Sequence, residues 1–269
     1  NLLSFEPLVF DKCEIDFILG QSYFQEGLYN QAKAYFVDIL NNGADFELIN
    51  ETRYYLSFAL FKEGNYQEAR LILEELIKKE SPIQLEAQYL LARAFLEQKD
   101  YDRVIEINSS LAEKNIEESL LERIWFDLGL AYARKGEEQK AIPYFERVIN
   151  QFPGGEIIDI VTLELARSYY QVGQYQNVLI TLEDVDSKEA LELKIEAANK
   201  INDEEGLLYF YQELTEQHSD DVLAREGYFA LARDKYEKGE FLEAAEFFEK
   251  TESMVTSDKM RQEIYYWQG

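Results

Sequence analysis

Apolar positions return at helical spacing along almost the whole chain. Trp125, Leu128 and Tyr132 stand three and four residues apart, and Ala141, Phe145 and Val148 repeat the spacing after a polar break. An α-helix gathers such positions on one face. The pattern therefore predicts two helices of roughly 14 residues on either side of a turn near 136. Strand-type alternation is missing. Pro82 and Pro153 fall in polar breaks, where a helix stops or starts, and Pro143 is expected at the beginning of a second helix, where its missing N–H costs least.

The break itself recurs. EGLYNQA (26–32), EGNYQEA (63–69), QKDYDRV (98–104), KGEEQKA (135–141), VGQYQNV (172–178) and KGEFLEA (238–244) share one form. Their markers are Gly27, Gly64, Lys99, Gly136, Gly173 and Gly239, and NDEEGLLYFYQEL (202–214) supplies a worn copy at Asn202. Glycine suits a helix end that closes in the left-handed region, where a Cβ is strained. The prediction is an all-α chain of helix pairs at 14–43, 51–80, 86–114, 122–153, 160–186, 188–217 and 225–254. Partial units are expected at 1–10 and 259–269.

The unit WFDLGLAYARKGEEQKAIPYFERVINQFP (125–153) resembles the tetratricopeptide repeat. Trp125, Leu128, Gly129, Tyr132, Gly136, Ala141, Phe145 and Pro153 stand at that family's signature spacing. Leu19, Gly20, Tyr23, Gly27, Tyr29, Ala32 and Phe36 do so in the first unit, and Leu56, Leu60, Gly64, Tyr66 and Ala69 in the second. The resemblance implies a single right-handed α-solenoid over 1–269, a superhelix of antiparallel helix pairs. Departures are the steps of 35 to 37 residues and Ile195 at a position that elsewhere holds Gly, Ser or Ala. The head LLSFEP and the tail MRQEIYYWQG read as cut repeats, which would allow end-to-end self-association or continuation of the stack.

Composition narrows the function. The chain carries 27 Lys and Arg against 53 Asp and Glu, a net charge of −26, and such a field repels phosphate backbones. Nucleic acid is not expected as a partner. No apolar run reaches the roughly 18 residues of a membrane span, so direct insertion is not expected. Cys13 is the single cysteine and His218 the single histidine, about 200 residues apart, so no Cys–His pair is expected. No phosphate loop or metal-ligand spacing is present, and Asp203, Glu204 and Glu205 read as a solvated turn. The expectation is a protein that is not an enzyme and holds no cofactor and no metal.

By the family's geometry, the first helix of each unit lines a concave groove. Aromatic residues recur at the groove positions, and Arg93, Arg167 and Arg233 each follow a Leu-Ala pair. The candidate partner-binding residues are Phe17, Phe24, Tyr54, Phe58, Phe61, Tyr89, Arg93, Phe126, Arg134, Arg167, Tyr170, Phe229 and Arg233. The arginines read either as donors to a guest segment or as partners of Glu97, Glu164 and Glu237. The resemblance implies a scaffold that binds extended or helical segments of partner proteins within a multi-protein assembly. Alternatives are a peptide-sensing regulatory domain, or the docking arm of a larger enzyme or motility machine. The NQFPGG closure is similar to repeats of bacterial cell-envelope assembly proteins, which places the expected compartment at the periplasm, with the cytoplasm as the alternative.

Overall fold

The computed structural model describes residues 12–43, 47–78, 80–219 and 221–254. The expected partial repeats at 1–10 and 259–269 lie outside them. Every regular element among the described residues is a helix. The order is α1 (Lys12–Gln25), α2 (Tyr29–Asn42), α3 (Ile49–Lys62), α4 (Tyr66–Leu76), α5 (Gln84–Glu97), α6 (Tyr101–Ala112), α7 (Glu118–Arg134), α8 (Glu138–Gln151), α9 (Ile158–Gln171), α10 (Tyr175–Thr181), α11 (Lys188–Ile201), α12 (Glu204–Gln217), α13 (Val222–Glu237) and α14 (Phe241–Ser253). They divide into two compact units, Asn1–Gly136 with α1 to α7 and Glu137–Gly269 with α8 to α14.

The turns explain the recurrent motif. Gly27, Gly64, Gly136, Gly173 and Gly239 hold φ between 72° and 81°, the left-handed region. Where glycine is missing the backbone is the same: Lys99 has φ 61° and Asn202 φ 56°. The following residue then bonds back over the helix end, as in Leu28 N–H to Tyr23 O at 2.9 Å, Asp100 to Phe95 at 2.9 Å and Asp203 to Ala198 at 3.0 Å. This six-to-one closure satisfies carbonyls that the helix end leaves open and fixes where the second helix departs.

A ring staple accompanies each of four turns. Phe24 meets Tyr29, Phe61 meets Tyr66, Tyr170 meets Tyr175 and Tyr236 meets Phe241, edge to face with centroids 5.3 Å apart in every case. The aromatic of the G-x-aromatic motif is thus the second half of a pair whose first half ends the preceding helix. Such pairs contribute about 0.5–1.5 kcal/mol beyond their burial.

Helix approach within a pair is set by the small residue. A Cβ on Gly20 would stand 2.5 Å from the Phe36 ring, so α1 and α2 close only because position 20 lacks one. The residue 16 positions on plays the part of Phe36 in other pairs: Leu73, Leu182 and Phe248 are all buried there. Two pairs depart. Opposite Ala92 stands Asn108, fully buried, with neither Oδ1 nor Nδ2 hydrogen-bonded. In the α11/α12 pair Ile195 is large and buried, and Tyr211 at the facing position is only half-buried, its ring 3.0 Å from where a Cβ on Gly227 would lie.

One expectation is corrected. Pro143 does not open a helix. Because Gly136 closes α7, α8 starts at Glu138 and Pro143 falls in its second turn. The proline ring there removes one intrahelical donor on an exposed side of α8.

Candidate functional site

In the first unit, α1 touches α3, α3 touches α5 and α5 touches α7, in addition to the contacts of each helix with its chain neighbours. The first helices therefore form a continuous layer. Residues spaced three, four and three apart form one stripe on a helix. Glu51, Tyr54, Phe58 and Phe61 make that stripe on α3, and Glu86, Tyr89, Arg93 and Leu96 make it on α5.

Phe58 is the centre of the ring cluster. It stands 5.1 Å from Phe24 on α1, 5.9 Å from Tyr54 and 6.5 Å from Phe61, and the Lys62 ammonium lies 5.5 Å over its face. All four rings are half-buried, leaving an edge or face to solvent. Phe24 and Phe61 also serve the turn staples. Tyr54 and Phe58 take no part in a staple but rest on the core around Leu73 and Leu90, and the burial of Tyr54, followed by the nearby Glu86 charge, pushes its phenol far up.

Two other aromatic candidates belong to the interior instead. Phe17 is 6% exposed, 6.3 Å from Phe36 and 5.9 Å from Tyr55, and Phe126 is 8% exposed. Phe17 packs against rings of α2 and α3, and both side chains are almost wholly withdrawn from solvent. They offer no docking face.

Arg93 is organised by a residue that the sequence reading did not single out. Its Nη1 donates to Asp127 Oδ1 at 3.1 Å, from α5 to α7, rather than being held by Glu97 alone. Asp127 is fully buried and its Oδ2 has no hydrogen-bond partner. Burial pushes its carboxyl up to about 6, against the pull of Arg93 and of the nearby Tyr89 hydroxyl. Burial draws Arg93 down, but Asp127, Tyr89 and Glu97 together hold it above its usual value. Tyr89 is raised far above the usual phenol range, first by burial and then by Asp127. The signal was present in WFDLG: Asp127 sits two residues before the small position, where Tyr55, Leu90 and Leu193 stand in other units. Arg93 keeps guanidinium donors beyond the one given to Asp127, held in place by a buried counter-charge. Arg134 is exposed at the end of α7.

The second unit carries the remaining candidates. Arg167 is exposed and 3.9 Å from Glu164, and Arg233 is exposed and 3.8 Å from Glu237, local pairs of the kind expected from spacing. Tyr170 is half-buried in its turn staple, its phenol raised by burial and then by Glu196. Phe229 packs edge to face on Phe248 at 6.1 Å. A groove of about 450 Å³ on α13 and α14 is lined by Tyr236, Phe241, Ala244, Ala245, Phe248 and Glu249.

No three His, Cys, Asp or Glu side chains among the described residues converge as metal ligands. Among them no helix is long and apolar enough to cross a membrane. Asp203, the first of the acidic trio, caps α12 by accepting from Gly206 N–H at 3.0 Å.

Solved structures share the fold at low identity. The chain is similar to Pseudomonas aeruginosa PilF, at 17% identity over 80% of this chain and 95% of that one, with a TM-score of 0.62. It is also similar to apo RapI, at 12% identity over 91% and 97%, TM-score 0.62. A third likeness is to a putative kinesin light chain of Podospora anserina with nearly identical TPR-like repeats, at 21% identity over 68% and 95%, TM-score 0.54. No curated protein sequence matches the chain. Three tetratricopeptide repeat models match residues 17–41, 60–119 and 122–154. Tetratricopeptide repeats are in general protein–protein interaction modules and typically non-catalytic. The first match takes in Gly20 and Gly27 and the last Gly136 and Pro153, in phase with the turns described above, and the chain belongs to the tetratricopeptide repeat family.

Proposed function

We propose that this chain is a non-catalytic scaffold that binds an extended or helical segment of a partner protein on the first-helix layer of its first unit. One observation carries the reading. Tyr54 and Phe58 are large rings that take no part in the turn staples, and although one side of each packs on the core around Leu73 and Leu90, they stay partly exposed beside Phe24 and Phe61. Half-exposed aromatic clusters bounded by oriented polar groups are what docking segments anchor on. Arg93 supplies the polar part: a guanidinium pre-set by Asp127 can give its spare N–H groups to a backbone carbonyl or carboxylate of the guest. Arg167 and Arg233 hold similar but looser pairs and are weaker specifiers in this reading.

The assembly in which the partner resides is read as a bacterial cell-envelope complex, on the similarity of the repeat closures. Photo-crosslinking in cells tests the binding face. A benzoylphenylalanine at Phe58 should capture one or a few discrete proteins, whereas the same group at Leu71, exposed on α4, should not. Identical capture from both positions would overturn the reading.

A further inference from the structure

Three glutamates stand at one register on successive first helices. Glu14, Glu51 and Glu86 each lie three residues before Phe17, Tyr54 and Tyr89 and head the stripe that carries the ring cluster. A first-turn acidic residue favours any helix through its dipole, on whichever face it lies. Their place beside the rings is what matters here, since nothing basic on the stripe offsets them. None is ion-paired with a described residue, although elsewhere in the first unit Lys33 reaches Glu63, Arg70 reaches Glu74 and Lys135 reaches Asp102. Glu86 goes further: its Oε2 is buried without any hydrogen-bond donor, next to Tyr54. Arg93, the basic residue of the α5 stripe, is already engaged by Asp127 and compensates none of them. The Phe58 ring meanwhile accepts a cation over its face from Lys62.

From this charge complementarity we infer that the partner segment is basic, with Lys or Arg side chains that pair with Glu51 and Glu86 while its apolar side chains rest on Tyr54 and Phe58. The inference rests on the reading above that this face is the binding face. A guest ammonium or guanidinium would pair with the accessible part of these carboxylates, and it would place its charge between a carboxylate and an aromatic ring. An acidic segment would meet uncompensated like charge instead.

Fluorescence anisotropy with three labelled short peptides tests it: one alternating Lys and Leu, one with Gln for Lys, one with Glu for Lys. The Lys peptide should bind at moderate salt and the Glu peptide should not. Glu51→Gln with Glu86→Gln should weaken the Lys peptide by about five- to tenfold and leave the Gln peptide unchanged. Because the whole chain is acidic, Glu68→Gln with Glu113→Gln, exposed carboxylates outside the stripe, is the control and should have no effect. Equal weakening by both pairs would overturn the inference, as would failure of the Lys peptide to bind or equally tight binding of the Gln peptide. Phe58→Ala separates the two levels. If it weakens every peptide that binds, the binding face stands whatever the charge result, and if it weakens none, the face itself falls.

Discussion

Arg93 reaches from α5 to α7 and places its Nη1 3.1 Å from Oδ1 of Asp127, a carboxylate with no exposed surface. The contact couples one first helix to another through a charge, where Phe24 and Phe58 couple α1 to α3 through rings. It also fixes the direction of the one arginine on the aromatic face.

The pair has a titration signature. The Asp127 carboxyl lies at about 6 in the folded chain against an ordinary 3.8, so between those values the native state holds a proton that the unfolded chain has lost. Its contribution to stability is full below about pH 4 and is lost as pH rises through 6. Relative to Asp127→Asn, which cannot titrate, the wild type should lose about 2–3 kcal/mol between pH 4 and 7 in urea unfolding. Arg93→Met should move the Asp127 titration, followed by carboxyl NMR, further up. A downward shift would contradict the arrangement.

Asn108 should be a weak point of the first unit. Its amide is buried without partners at the position that holds Phe36 or Leu73 in neighbouring pairs. Leaving such a group unbonded costs about 1–3 kcal/mol, so Asn108→Leu should raise stability by a similar amount in denaturant unfolding. A loss of stability would show that the site is closed to a larger apolar side chain.

Lys99 adopts φ 61° where most turns use glycine. Lys99→Gly should stabilise the chain by about 1 kcal/mol, and Asn202→Gly by less, because asparagine tolerates this region better. Gly64→Ala should shift thermal unfolding the other way. Equal melting temperatures for Lys99→Gly and the wild type would contradict the assigned turn.

The fold was legible because its rules are local. A left-handed turn asks for glycine, a close helix approach asks for Gly20 or Ala92, and each request repeats down the chain until the period shows. Even the worn copy at Asn202 keeps the backbone that its alignment implied. The face was legible only in part. Sequence spacing put Phe17 and Phe58 in one class, since both sit on the first-helix stripe, yet three-dimensional packing buries one against Phe36 and leaves the other half-open. The turn staples were likewise invisible, because the partners Phe61 and Tyr66 lie on different helices and meet only through the turn geometry. Asp127 could be seen as an anomaly in WFDLG, but its partner, 34 residues earlier, follows from how α5 and α7 stack.

The central claim is that a partner segment lies on the first helices of the first unit, across Phe58. Amide hydrogen exchange of the full chain, with and without the protein captured by crosslinking at Phe58, tests it directly. The account predicts slowed exchange in 51–61 and 86–96, the α3 and α5 stripes, and unchanged exchange in 66–76 and 101–112 on the second helices. Protection confined to the second helices, or none in α3 and α5, would contradict it.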